Sequence, residues 1–315
     1  MKSLLSAFIA CVGLLVVTTS MSCAHEKYVR KKASENYITR AVETGTFDAI
    51  STSGSVDVIY TQTSGERSVV LYAPDNLIDD IEVKVDGGTL KVGMRSSANH
   101  VIIGGRGMEV RVSAPAVNRL EASSSGDIKL TNGLKAVGDV EVAAGSSGDV
   151  VGGTVSSPGN IILKASSNGD IKFDAVSCAG FRANASSNGD IKIDAVSCTD
   201  FRADASSNSD VKIGAVACTD FRADASSCGD VVVGKVSCTD FSANAGSNGD
   251  MEVGMVDARN VIASASSAAD VKLAGKCENA DLSANSNGDI KASRLRVEKR
   301  LSKKENSAGS VICGD

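Results

Sequence analysis

Aspartate is the residue this sequence repeats most regularly. Asp127, Asp149, Asp170, Asp190, Asp210, Asp230, Asp250, Asp270 and Asp289 follow one another at steps of 22, 21, 20, 20, 20, 20, 20 and 19, mostly within the motif Ser-Ser-x-Gly-Asp followed by an aliphatic residue. Carboxylates stacked about 5 Å apart repel, so something must offset the charge. Calcium held between turns is one chemistry, although the unit is not the short glycine-rich calcium nonapeptide. The other is turn chemistry, in which an Asp after Gly accepts hydrogen bonds from Ser hydroxyls or backbone N–H groups. A lysine two residues on, as in Lys172, Lys192 and Lys212, would then relieve the repulsion. Turn chemistry is the expectation for Asp170, Asp190, Asp210, Asp230 and Asp250. Asn168, Asn188, Asn208, Asn248 and Asn287 fit left-handed turn positions or an asparagine ladder better than a ligand set.

Cys178, Cys198, Cys218 and Cys238 share the same spacing. Tetrahedral zinc needs four sulfurs about 2.3 Å from one point, whereas a column on successive strands spans about 14 Å. Buried thiols are expected, with bridges between neighbouring coils, such as Cys178 to Cys198, as the alternative in an oxidising compartment. Cys228, Cys277 and Cys313 are expected to lie outside this column. Carboxylate pairs of the kind glycosidases use are plentiful, for example Asp200, Asp220 and Asp240, or Asp204 and Asp224. Yet no insertion interrupts Asp170 to Asp270, no Tyr or Trp follows Tyr72 to stack on a sugar, and no His follows His100. Ser123, Ser124 and Ser125 have no accompanying base. The reading is therefore a protein with no catalytic residues, no metal and no cofactor.

The elements that must position these columns are short strands. From Ile171 the chain reads Ile-Lys-Phe-Asp-Ala-Val-Ser, alternating apolar and polar with the period of a strand. One such unit cannot bury its apolar side alone, and stacking successive units solves this. Ile171, Ile191, Val211, Val231, Met251 and Val271 then form one inward column, and Phe181, Phe201, Phe221 and Phe241 another. The adjacent small column is Ala183, Ala203, Ala223 and Ala243, while Arg182, Arg202 and Arg222 face solvent. The fold class expected is all-β, a right-handed parallel β-helix with about 20 residues per coil. Residues 123–315 carry the regular repeats and a C-terminal cap, charged by Lys299, Arg300, Lys303 and Lys304. Residues 44–122, where the repeat is degenerate, are expected to be irregular first coils or a β cap.

Lys2 and the apolar run Leu4 to Val17 form a leader too short to span a bilayer as a helix, so residues 1–22 read as a signal peptide. Small residues before Cys23 mark that cysteine for lipidation, which implies an exported protein attached to the outer membrane through an N-terminal lipid. Residues 23–43, with Lys27, Arg30, Lys31, Lys32 and Arg40 among acidic residues, read as the lipid-anchored tether. The formal charge of −5 disfavours a nucleic-acid partner.

Phe47-Asp48-Ala49-Ile50 through Ser53-Gly54-Ser55-Val56-Asp57-Val58, then Asp86-Gly87-Gly88-Thr89-Leu90-Lys91-Val92 and the Gly-Asp-Ile units, together resemble the bacterial putative autotransporter adhesin head GIN domain family. The resemblance covers nearly all of the chain after the tether. It implies a secreted β-helix acting as an adhesin or binding scaffold, with a host or cell-surface glycan or protein as partner. A polysaccharide-binding or polysaccharide-active β-helix is the alternative.

Overall fold

A computed structural model describes residues 29–95 and 100–314. They form a parallel β-solenoid of about 10 turns with ~20 residues per turn. Each regular coil contributes two strands to two stacked faces. Gly180–Ser186, Asp200–Ala205, Asp220–Ala225 and Asp240–Ala245 follow one another on the first face. Ile171–Ser177, Ile191–Ser197, Asp210–Ala217 and Asp230–Ser237 do so on the second. The last coils run through both faces as the long strands Met251–Ala265, Asp270–Ala284 and Asp289–Glu305.

The register is residue on residue, so like side chains stack. Ile171, Ile191, Val211, Val231, Met251 and Val271 are all fully buried. The four phenylalanine rings lie parallel down the interior, with centroids 5.3, 4.7 and 4.8 Å apart and interplanar angles of 21°, 5° and 3°. The alanines beside them, Ala183, Ala203, Ala223 and Ala243, are equally sealed. A slip of one residue would turn every one of these side chains outward, which is why the pattern fixes the pairing.

From Ser146 onward each coil turns where two consecutive residues take positive φ. In Ser166–Gly169, Ser167 (φ 53) and Asn168 (φ 70) occupy the centre and the Gly169 N–H donates to Ser166 O at 3.0 Å, a type I′ turn by its dihedral signs. The asparagines are thus left-handed turn residues. Gly169 itself is not left-handed; a Cβ there would lie 2.4 Å from the Gly145 backbone nitrogen of the coil beneath.

The N-terminal part is both coil and cap. Ala49–Thr52 and Val56–Gln62 form one coil, stacked on one side against Arg119–Ala122 and Ile128–Leu130 and on the other against Thr89–Met94 and Met108–Ala114. The chain therefore leaves its second coil, builds the end of the rod, and returns. Antiparallel strands close that end: Ile81–Asp86 on Thr89–Met94, through a turn with Gly87 at φ 55 and Gly88 at φ 77, and Ser68–Pro74 on Met108–Ala114. Of the expected tether of residues 23–43, the described part contributes strands to the fold. Val29–Lys32 pairs with His100–Ile103, and Tyr37–Ala41 pairs antiparallel with 70–74. Tyr37 packs its ring 5.1 Å from that of Tyr72, apolar surface that the charge pattern obscured. Cys23 and the leader lie outside the described residues. At the far end Ser310–Cys313 covers only Asp289–Ala292, and the rest of the last long strand is an edge carrying Arg294, Arg296, Lys299, Arg300, Lys303 and Lys304, charges of the kind that discourage edge-to-edge pairing.

Candidate functional site

The aspartates form a ladder rather than a row of open ligands. The Asp190 N–H donates to Asp170 Oδ1 at 2.9 Å, and the Asp210 N–H to Asp190 Oδ1 at 2.8 Å. The same bond links Asp127 to Asp57, Asp149 to Asp127, Asp170 to Asp149, Asp250 to Asp230 and Asp270 to Asp250. Each of these accepting carboxylates is thus committed to the backbone of the next coil. Burial, together with the neighbouring Asp210 and Asp170 charges, holds the Asp190 carboxyl above its usual range despite that bond. No group of three or more His, Cys, Asp or Glu among the described residues converges on a point that could hold a metal ion.

The ladder breaks beyond Asp210 and Asp270, and again beyond Asp289, where the Ser310 N–H donates to Gly288 O at 3.3 Å. Ser209 and Ala269 stand where other coils have Gly. Beyond Ser209, the Asp230 N–H donates to Ser209 O at 3.0 Å, and beyond Ala269 the Asp289 N–H donates to Ala269 O at 3.1 Å. Beyond Ser209 and Ala269 the carboxylates pair with lysines instead. Lys212 Nζ lies 2.6 Å from Asp210 Oδ2, and Lys291 Nζ contacts Asp270 Oδ2.

The first face carries a shallow open groove of about 550 Å³ on its outer surface. One wall is Asp200, Asp220 and Asp240; the other is Arg182, Arg202 and Arg222. It crosses six coils from Asn160 to Asn260, roughly 24 Å at the parallel-strand spacing. The arginines that bond carboxylates turn away from the acidic wall. Arg202 grips Asp204 through two 2.8 Å hydrogen bonds and reaches Asp224 at 3.3 Å, while Arg222 Nε lies 3.1 Å from Asp224. Asn244, Arg222 and Arg202 outweigh burial and hold the Asp224 carboxyl below its usual range. Asp204 and Asp224 are thus both held in ion pairs with the arginine column. Asp240 accepts from Asn260 at 2.8 Å.

These columns can be set beside known proteins. The family model described as putative auto-transporter adhesin, head GIN domain, matches residues 46–235 and 222–311. The chain belongs to that family. Among solved structures it is similar to a putative adhesin from Parabacteroides merdae, 13% identical over 90% of this chain and 99% of that one, with a TM-score of 0.51. A putative adhesin from Bacteroides fragilis is 19% identical over 89% of this chain and 98% of that one, with a TM-score of 0.48. No curated protein matches the chain. The head GIN domain fold expected from the motifs is thus shown.

Within this fold the cysteine column differs in two respects from expectation. Cys178, Cys198, Cys218 and Cys238 are free and half-buried at the edge of the core rather than sealed inside it. Cys277 belongs to the column: the Cys238 N–H donates to Asp257 O at 3.0 Å, which sets Cys238 beside Ala258, and Ala258 pairs with Cys277. A 19-residue step and the intervening alanine hide that membership from a reading at a period of 20.

Proposed function

We propose that this chain is an exported, non-catalytic adhesin or binding scaffold, held to the outer membrane by a lipid on Cys23, that presents its β-helix faces to a host or cell-surface glycan or protein. The observation that carries the reading is the groove crossing six coils, whose walls carry Asp on three consecutive coils and Arg on three. Such a surface offers many equivalent weak contacts, and linked contacts of this kind build avidity without a deep pocket. The family membership supports an adhesive role, and the salt-bridged Asp204 and Asp224 argue against paired-carboxylate hydrolysis.

The test begins with mass spectrometry of Cys23 and protease shaving of intact cells beside a periplasmic control. Acylation, with loss of the chain while the control survives, is the expected result; full protection would sink the adhesin reading. The groove also favours a second reading, retention of an extended polysaccharide along the rod. In that case Asp200→Lys with Asp220→Lys would abolish binding to a soluble glycan panel and leave the fold unchanged.

A further inference from the structure

One set of reactive side chains has no part in the groove or the aspartate ladder. Cys178, Cys198, Cys218 and Cys238 stand directly over one another on successive coils. The Cys178 N–H donates to Ser197 O at 3.1 Å, Cys198 to Ala217 O at 3.0 Å and Cys218 to Ser237 O at 3.0 Å. This places neighbours at the parallel-strand spacing of about 4.8 Å. Their side chains rest against the core with partial access to solvent. Burial raises the Cys178 thiol to about 11 and the Cys198 thiol to about 12. Cys218 is pushed up first by its contact with the Cys238 thiol and then by burial.

The spacing selects among sulfur chemistries. Four-sulfur coordination needs convergence on a point, which the described residues do not provide. A disulfide draws its Cβ atoms to about 3.5–4.5 Å, closer than the spacing of about 4.8 Å between in-register parallel strands, and the cysteines of the column are unbridged. Two-coordinate linear binding meets neither obstacle. Two metal–sulfur bonds of about 2.3 Å, the length found in thiolate sites, put the sulfurs about 4.6 Å apart. Soft thiolate ligands of this kind select Cu(I) and its relatives.

We propose that neighbouring cysteines of this column bind thiophilic univalent d10 ions of the Cu(I) and Ag(I) class, each ion held linearly between the thiolates of two adjacent coils. Binding one ion replaces two S–H protons, which pass to solvent, and leaves a dithiolate complex of net charge −1 with no electron transferred. Cys277 takes no part, because Ala258 separates it from Cys238 and puts it two coils away.

The test separates adjacency from thiol number. In the full chain with Cys11, Cys23, Cys228, Cys277 and Cys313 replaced by Ala, two variants each keep two column thiols. Cys178→Ser with Cys198→Ser leaves the neighbours Cys218 and Cys238. Cys198→Ser with Cys238→Ser leaves Cys178 and Cys218 two coils apart. Titration with Ag(I) against a competing small thiol is expected to give one tight ion for the adjacent pair and affinity at least about 10²-fold weaker for the separated pair, the second thiol acting at high effective concentration only in the first. Equal affinities overturn the proposal. X-ray absorption of the unsubstituted full chain loaded with Ag(I) reads the same point without any variant. Two sulfurs in line support it, and three or four sulfurs, or oxygen and nitrogen ligands, overturn it.

Discussion

The phenylalanine stack provides a quantitative test of the column architecture. Phe221 is 2% exposed and faces a ring on each side at 4.7 and 4.8 Å, nearly parallel, whereas Phe181 has one ring neighbour, at 5.3 Å and tilted by 21°. Truncating a buried phenylalanine to alanine costs about 3–5 kcal/mol. The upper end applies to Phe221→Ala, because Ala203, Ala223 and Ala243 beside it are too small to fill the space and the coils on both sides cannot close it. Leucine keeps most of the buried area and removes the ring contacts, each worth about 0.5–1.5 kcal/mol. Phe221→Leu gives up two such contacts and Phe181→Leu gives up one, so the first should cost about 0.5–1.5 kcal/mol more than the second. Equilibrium urea unfolding followed by far-UV circular dichroism measures all three. A loss below about 1 kcal/mol for Phe221→Ala would refute an interior position, and equal losses for the two leucine variants would refute stacking as a contributor.

Val216 is 2% exposed in the middle of the rod; Val216→Asp should lower the melting temperature sharply, since an unpaired buried carboxylate costs several kcal/mol. Ala268 sits at φ 62 where most coils have Asn; Ala268→Asn should stabilise by about 1 kcal/mol, the order of the left-handed penalty for an ordinary residue, as read in urea midpoints. The pH dependence should split by column. The Asp224 carboxyl is held low, so its stabilisation exists above the unfolded value of 3.8 and is lost as pH falls through the lowered one. Asp224→Asn should therefore flatten the acid limb of the stability curve. The Asp190 carboxyl is held high, so its contribution is present below 3.8 and lost as pH rises through the raised value, and Asp190→Asn should steepen that same limb.

The solenoid was legible because its repeat is simultaneously a sequence period and a spatial one. Ile171, Val176 and Phe181 recur at intervals of 20, and identical residues then meet in register. The turn was legible for a local reason, since Ser-Asn-Gly tolerates left-handed geometry. Residues 44–122 were opaque because the coil at Ala49–Gln62 is stacked out of chain order, and no period can announce a chain that turns back. The partner of each aspartate was hidden as well. The chain showed carboxylates at a fixed interval, but that most would accept the amide of the next required the two coils to be placed, as did the exchange to lysine at Asp210 and Asp270.

The two ends of this rod are dissimilar and specialised, one closed by antiparallel strands and the other by a charged edge, while the coils between them are interchangeable in register. A unit of twenty residues could be lost or duplicated by recombination between near-identical repeats without disturbing either end. Each such event would change the rod by about 4.8 Å and add or remove one rung from the groove and one from the thiol column. Length of the rod and number of repeated surface positions would rise and fall together, so copy number sets both at once and needs no new fold.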